Sequence, residues 1–356
     1  MIARICNRPR LVETDFDLNM VEFRESKAFN FATLALLGGC MILVTALQWQ
    51  RPTNTTSKAP QAVLPLPKAV SVSKASIDLV EGRDASPLAG RFTVSDLNTA
   101  FDQLGYELPP VLAGTSPVPR LFLTSLPYDL NTIKQTKERK AMFFKTLLPL
   151  VLKINEEIIT NRAKIWRLSH RLNLGQAIRA EDRIWLNAAF NKYGVKYNDF
   201  DSLLTRMDVV PPSLALAQAA EESGWGTSRF VREGNALFGQ WTFNPKDKGI
   251  VPTGRAEGKT HRIRAFDSLS GSLKAYVQNL NTHKAYKKLR SKRLSMRKNR
   301  EKLNGFVLAT ALDKYSERGG KYVTSLQAIM DKNDLRRFDA TSLGESKDID
   351  LNGPLI

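Results

Sequence analysis

The stretch Pro211–Gly226 reads PPSLALAQAAEESGWG and decides much of the fold. Two prolines end whatever precedes them, and Ser213 is a suitable N-cap for a helix that begins at Leu214. This helix is almost entirely Ala and Leu, so we expect it to lie buried and to pack closely. Gly224 is suited to the left-handed residue that ends such a helix. The segment therefore predicts a short, buried, apolar helix.

Two carboxylates, Glu221 and Glu222, fall in the last turn of this helix. The C-terminal end of a helix carries partial negative charge, and apolar surroundings disfavour an ionised group, so both effects raise the pKa of a glutamate there. Such a glutamate can protonate the leaving oxygen of a glycosidic bond near neutral pH. Glu222 shares a face with the small residues Ala215 and Ala219. It is the predicted general acid, and the alternative is a solvent-exposed glutamate at a helix end.

Apolar spacing around this segment indicates a mainly α fold. A stripe spaced by 3, 4 or 7 residues predicts one long helix from about Lys137, and it consists of Phe144, Leu147, Val151, Ile154, Ile158, Ile165 and Leu168. Other helices are predicted at Ala180–Tyr193 (closed by Gly194), around Leu273–Leu280, at Asn304–Lys314 and at Tyr322–Met330. Lys259–Phe266 alternates like a strand, which gives the helical domain a small β-like loop region.

A membrane anchor is predicted near the start of the chain. Ala28–Gln50 carries no charge and reads AFNFATLALLGGCMILVTALQWQ. A helix of this length reaches roughly 34 Å, which spans a bilayer core. The alternative is a lipoprotein, because Leu37–Cys40 resembles a lipoprotein cleavage box. Lys and Arg are almost balanced across the segment, with a slight preference for a cytoplasmic N-terminus.

The remaining organisation follows from composition. Residues from Arg51 onward are rich in Pro, Ser, Thr, Ala and Lys and read as an extended tether, with a helical pattern after Thr93. The predicted order is a cytoplasmic segment 1–27, an anchor 28–50, a tether with a short helical segment 51–136, a catalytic domain 137–337 and a flexible tail 338–356.

Net charge and cysteine content limit the kinds of partner and of catalytic site that this chain can have. The net charge is +18, which indicates an anionic partner, and Asn281–Lys302 holds ten Lys and Arg against one acid. We predict that this stretch holds the protein on an anionic wall polymer, unless it is merely a solvated helix face. Cys6 and Cys40 both precede the domain, and the three histidines are scattered, so neither a thiolate nucleophile nor a metal site is expected. No cofactor is implied.

Several separated motifs resemble the bacterial glucosaminidase family, which includes the flagellar peptidoglycan hydrolase domain. QAAEESGWG at 218–226 is followed by NALFG at 235–239, and YVQNLNTH at 276–283 follows in the same order. The similarity is greatest to the Bax-type branch and covers roughly Lys137–Asn333. It implies a lysozyme-like helical fold and hydrolysis of N-acetylglucosaminyl bonds in peptidoglycan glycan strands. The glutamate before the family's Ser-Gly-Trp-Gly is Glu222 here.

The resemblance also implies further site residues. The family's second carboxylate lies some thirty to forty residues after the first, and Glu257 is the one glutamate in that window. Asp247 fits less well by distance, and Asp267 is read as a helix cap. One departure is Ala236, which separates Asn235 from Leu237. The expected substrate-binding residues are Trp225, Asn235, Phe238, Tyr315 and Tyr322.

The substrate sets the expected location. Peptidoglycan lies outside the inner membrane, so we expect a single-pass inner-membrane protein with a periplasmic catalytic domain and no nucleic-acid partner. Two other functions stay open. One is a lytic transglycosylase, which manages with one catalytic glutamate, and the other is a non-catalytic wall-binding scaffold. The sequence leaves an inverting and a substrate-assisted route equally open.

Overall fold

The structure, a computed structural model, describes residues 92–255 and 257–345. Helices dominate this part of the chain, as the sequence predicts. They are α1 (Val94–Gln103), α2 (Leu108–Ala113), α3 (Thr136–Asn173), α4 (Ala180–Tyr193), α5 (Phe200–Arg206), α6 (Pro212–Ser223), α7 (Arg229–Gly234), α8 (Leu269–Thr282), α9 (Lys287–Lys298), α10 (Gly305–Ala309) and α11 (Gly320–Lys332). Short 3₁₀ helices occur at Leu130–Thr132, Lys284–Tyr286 and Leu335–Ala340.

Helix α6 is packed from several sides, by α3, α10, α11 and the 3₁₀ helix Leu335–Ala340. Residues 212–220 of α6 are all buried, which confirms the prediction. Gly305 of α10 approaches so closely that a Cβ there would lie 2.8 Å from the Leu214 nitrogen. Only glycine permits such an approach of two backbones.

The predicted start of α6 is wrong. The helix begins at Pro212 rather than Leu214, and proline suits the first position because its missing N–H has no partner there in any helix. Ser213 is not the N-cap. Its backbone N–H and its hydroxyl both donate to the carboxylate of Asp339, at 2.8 Å each, and Gly305 donates to the same carboxylate at 2.9 Å. A residue 126 positions away therefore satisfies the N-terminus of α6.

Helix α3 is the long helix that the apolar stripe predicts. It has 38 residues with Pro149 inside, and all seven residues of the predicted stripe are buried. It contacts both α6 and α8. Helix α4 ends at Gly194, whose φ of 59° is left-handed as expected. Helix α10 is shorter than the predicted Asn304–Lys314, because a run of tight turns follows Ala309.

The small β region is a three-stranded antiparallel sheet. It contains β1 (Trp241–Thr242), β2 (Gly249–Ile250) and β3 (Arg262–Arg264), with β3 in the middle. Trp241 pairs with Ile263, and Gly249 pairs with Arg264. The predicted strand Lys259–Phe266 is thus present but shorter.

The packed body extends beyond the expected 137–337. Thr93 caps α1 in a capping box with Asp96, and Phe101 and Tyr106 join the same hydrophobic core as α3. At the other end, Leu343 forms an isolated parallel bridge with Val118. Residues 92–135 contain enough large apolar side chains to be buried, which their prolines obscure in the sequence.

Several predicted segments lie outside the described residues. They are the N-terminal segment 1–27, the anchor 28–50, residues 51–91 of the tether and the tail from 346 onward. Among the helices of residues 92–255 and 257–345, none has the length and apolar character needed to cross a bilayer.

Candidate active site

Glu222 lies in the last turn of α6, one residue before the helix ends. Gly224 and Trp225 are both left-handed, with φ of 57° and 59°, and both donate backbone N–H groups to Ala220. Trp225 is held by edge contacts with Phe143 and Phe144 of α3. This double left-handed turn fixes where the helix stops and therefore where the Glu222 side chain leaves it.

A chain of hydrogen bonds leads from the core to Glu222. The Tyr276 hydroxyl donates to Gln218 Oε1 at 2.7 Å, and Gln218 Nε2 donates to the Tyr322 hydroxyl at 2.9 Å. Tyr322 donates in turn to Glu222 Oε1 at 2.7 Å. Because Gln218 already supplies a proton to the Tyr322 oxygen, the Tyr322 proton is directed at Glu222. Oε1 is thereby occupied, and a proton on Glu222 is directed to Oε2.

The environment raises the pKa of Glu222. Burial is the largest cause, and the charge of neighbouring Glu221 acts in the same direction. The hydrogen bond from Tyr322 and the charge of Arg318 oppose it. The direction agrees with the expectation drawn from the apolar helix. A half-buried carboxyl group with a raised pKa can donate a proton at a pH where an ordinary glutamate has lost it.

Tyrosines surround this carboxyl group. Tyr315 stacks on Tyr322 at 5.4 Å between ring centroids, with 5° between the planes, and Tyr286 lies 5.7 Å from Tyr315. Phe238 stacks on Tyr276 at 3.9 Å. Burial raises the pKa of Tyr276, Tyr286, Tyr315 and Tyr322, so the phenols stay neutral and act through hydrogen bonds and ring faces.

Glu221, the neighbouring carboxylate, has a different partner. Arg318 bonds to its Oε1, and the same guanidinium donates to Ser325 at 2.6 Å. Arg318 belongs to the loop between α10 and α11, and Ser325 belongs to α11. One cation therefore ties the end of α6 to the helix that carries Tyr322.

The structure brings some predicted site residues together and separates others. Tyr322 donates a hydrogen bond to Glu222, and Tyr315 stacks on Tyr322. Phe238 is buried behind them, against Tyr276. Trp225 packs on α3 with Lys140 over its ring at 4.3 Å. Asn235 ends α7 with φ of 50° and donates to the Phe266 carbonyl at 3.2 Å, which is a contact within the fold.

Glu257 lies exposed between β2 and β3. Asp247 bonds to Thr242 at 2.6 Å and shapes the turn after β1. Asp267 pairs with Lys248 at 2.6 Å, while Ser268 caps α8 by accepting the Gly271 N–H. The prediction that Asp267 caps this helix is therefore wrong by one residue.

Sequence reasoning did not single out four residues of this site. Gln218 and Tyr276 lie within quoted motifs, but helical spacing marks them only as core positions. Tyr286 lies within a segment that resembles the family but has no predicted role, and no sequence pattern separates Arg318 from other loop residues. Within the described ranges, no group of three or more His, Cys, Asp or Glu is arranged to hold a metal ion.

A second buried carboxylate lies elsewhere in the fold. Asp208 is 3% exposed and precedes α6. Arg297 Nη2 lies 2.9 Å from its Oδ1, while Arg293 and Arg162 approach to 3.5 and 3.6 Å. Burial raises the pKa of Asp208, but Arg293 and the other two arginines together hold it below its ordinary value.

Arg290 and Arg293, two cations of the basic stretch, serve this interior rather than a surface. Arg293 is 1% exposed and donates to the Asp208 and Val209 carbonyls, and Arg290 donates to the Leu280 and His283 carbonyls. Lys292 is partly buried, and Arg297 is already paired with Asp208. The other exposed cations are Lys284, Lys287, Lys288, Lys298, Arg300 and Lys302. Binding of an anionic wall polymer by these residues stays a prediction.

A helical domain with a half-buried glutamate of raised pKa at a helix end, next to several tyrosines, is typical of a glycoside hydrolase. The chain belongs to the bacterial glucosaminidase family: residues 197–335 match the family model described as mannosyl-glycoprotein endo-beta-N-acetylglucosaminidase. It is also similar to protein bax of Escherichia coli strain K12, with 34% identity over 216 residues, covering 59% of this chain and 75% of that protein. No solved structure matches the chain. The family resemblance seen in the motifs is thus confirmed.

Proposed function

We propose that this protein hydrolyses N-acetylglucosaminyl bonds in peptidoglycan glycan strands, in the manner of an endo-β-N-acetylglucosaminidase. Family membership supports glycosidase activity on a peptidoglycan glycan. The observation that carries the finer proposal is the setting of Glu222. It is half-buried, has a raised pKa and is fixed through Oε1 by Tyr322, so Oε2 is left to carry a proton.

In the proposed reaction, Glu222 is the general acid. Its Oε2 proton passes to the glycosidic oxygen as the bond to the anomeric carbon breaks, and the leaving sugar departs as an alcohol. The resulting carboxylate keeps the Tyr322 hydrogen bond, which stabilises the charge that has just formed. Water then adds to the anomeric carbon. In a direct displacement, Glu257 takes the proton that this water releases. In a substrate-assisted route, the acetamido oxygen of the substrate bonds to the anomeric carbon first, and the Glu222 carboxylate takes the proton of the water that opens the resulting ring.

A lytic transglycosylase is the second candidate, and one observation favours it. The carboxylate beside Glu222 is Glu221, and Arg318 already occupies it. A single free glutamate is sufficient for intramolecular attack by a sugar hydroxyl, which yields an anhydro product instead of a reducing end. The two reactions therefore differ in their product and not in their acid.

The test is a digest of purified sacculi by the full-length protein, with muropeptides separated and weighed by mass spectrometry. We expect reducing-end products from the wild type. We expect Glu222→Gln to lose about two to four orders of magnitude in rate, the scale of removing a proton donor, with an unchanged circular dichroism spectrum. Anhydro products would transfer the assignment to a transglycosylase, and no product would leave a wall-binding scaffold. Near-normal turnover by a folded Glu222→Gln variant would remove Glu222 from the mechanism.

We further propose that the chain is a single-pass inner-membrane protein with a periplasmic catalytic domain. The proposal rests on the uncharged segment 28–50 and on a substrate that lies outside that membrane. Protease added to spheroplasts should digest the domain and spare an N-terminal tag. A domain that stays protected until the membrane is opened with detergent would contradict the topology. Signal-peptidase cleavage with lipid attached at Cys40 would show a lipoprotein instead.

A further inference from the structure

The contact between Arg318 and Glu221 joins the two elements that build the site. Glu221 is part of α6, and Ser325, the second partner of Arg318, is part of α11. The same two helices carry Glu222 and Tyr322, which share a hydrogen bond of 2.7 Å. The Arg318 side chain is 50% exposed and that of Glu221 is 22% exposed. This ion pair therefore lies at the solvent side of the Glu222–Tyr322 contact.

The charges near Glu222 are few. Among the described residues, the charged side chains that act on it are Glu221 and Arg318. The other titratable groups that face it are tyrosines of α8, of the 3₁₀ helix 284–286, of the loop before α11 and of α11, namely Tyr276, Tyr286, Tyr315 and Tyr322. All four are neutral at ordinary pH. One anion and one cation thus set the local field.

Two adjacent carboxylates at the C-terminal end of a helix are unfavourable together, because like charges repel and the helix end is itself partly negative. Glu221 opposes ionisation of Glu222, and Arg318 favours it. Arg318, a cation that bonds directly to Glu221, offsets part of that repulsion.

We propose that Arg318 is a positioning residue, which acts through Glu221 to set how readily Glu222 gives up and regains its proton. The proposal rests on the assignment of Glu222 as the acid. Arg318 also holds α11 against α6, and thereby keeps the Tyr322 hydroxyl on Glu222 Oε1. The reacting bond is not contacted by Arg318, so its effect appears in the pH at which Glu222 titrates.

The pair can be tested in the full-length protein without relying on turnover. A carbodiimide labels carboxyl groups in their protonated form, and tandem mass spectrometry separates label on Glu222 from label on Glu221. Arg318→Met removes the cation, so the fall in Glu222 labelling should move to higher pH than in the wild type. Glu221→Gln removes the anion, so the fall should move to lower pH. The double variant should lie between them.

The size of the effect is modest. At the pH where wild-type Glu222 is half-labelled, Arg318→Met should react about threefold faster than Glu221→Gln, the scale of a partly screened charge pair. Arg318→Lys should restore most of the wild-type behaviour. The matched control is Arg120–Glu156, an Arg–Glu pair at 2.9 Å that joins distant segments and does not act on Glu222. Arg120→Met and Glu156→Gln should leave the Glu222 titration in place.

Shifts of the Glu222 labelling curve to higher pH in one single variant and to lower pH in the other support the positioning role. The pH dependence of the rate of sacculus digestion should shift in the same directions. Displacements in the same direction, or none, overturn it, since a purely structural contact would disturb both variants alike. Failure of the proposed function is distinguishable. If the wild type releases no product while the labelling curves of the two variants still shift in opposite directions, the role of Arg318 and Glu221 is supported and the glycosidase assignment is wrong.

Discussion

Glu222, which is half-buried, and Asp208, which is buried, are two carboxyl groups whose pKa values are shifted in opposite directions. Burial raises the pKa of both, yet the net shift is upward for Glu222 and downward for Asp208. Asp208 has three arginines around it, whereas Glu222 has tyrosines and another glutamate. The number of cations near each carboxylate thus decides the direction of its pKa shift, which favours the ionised form of Asp208 and the protonated form of Glu222.

The largest effect on this comparison is expected from Asp208→Asn. The change leaves Arg293 buried without its carboxylate, so the free energy of unfolding should fall by about 3–5 kcal/mol. Urea denaturation followed by circular dichroism measures it. The control is Asp331→Asn, which breaks an exposed pair with Arg336 at 3.7 Å and should change stability by less than about 1 kcal/mol. Equal losses in the two variants would contradict the structural role of Asp208.

Glu257 has neither the arginines of Asp208 nor the tyrosines of Glu222 around it. A variant at this position tests whether such an exposed carboxyl group takes part in catalysis. It is exposed, and Gly254 and Gly258 flank it, so its loop can move towards a bound glycan strand of the substrate. We expect Glu257→Gln to lower turnover by about tenfold or more while binding to sacculi is unchanged. Glu301→Gln is the control, since Glu301 is also exposed. Unchanged turnover would leave Glu222 acting with the substrate's own acetamido group.

The smallest effect concerns stability as a function of pH. Because the folded-state pKa of Glu222 is raised above 4.5, its contribution to stability is present at low pH and is lost as the pH rises through the folded pKa. Asp208 behaves oppositely, since its depressed pKa contributes stability that is lost only in acid. Glu222→Gln should therefore gain stability relative to the wild type as the pH rises from 4.5, the ordinary pKa of a glutamate, through the raised pKa of Glu222. Thermal unfolding across this range gives the difference, and a constant difference would contradict it.

Local patterns predict the helices and the position of Glu222 at the end of α6, but not the hydrogen-bond partners around it. The stripe on α3 and the glycine ends of α4 and α6 follow from spacing and from backbone preference. The sequence predicts Ser213 as a cap, but its N–H donates to Asp339, which lies too far along the chain for a local pattern to indicate. Spacing places Gln218 and Tyr276 on buried faces, yet only the packing of α8 and α11 on α6 reveals that they form one hydrogen-bonded chain. Arg318 was missed for the same reason.

The bond between Asp339 and the start of α6 also affects the order in which the protein can fold during synthesis. The helix that carries Glu222 is complete in the chain by residue 223, but the carboxylate that accepts the Ser213 N–H at its start emerges more than a hundred residues later. Contacts of such separation form late, because a long loop must close first. A ribosome stalled before Asp339 therefore holds helix α6 without its partner, and a chain released there would lack this contact and be open to proteolysis.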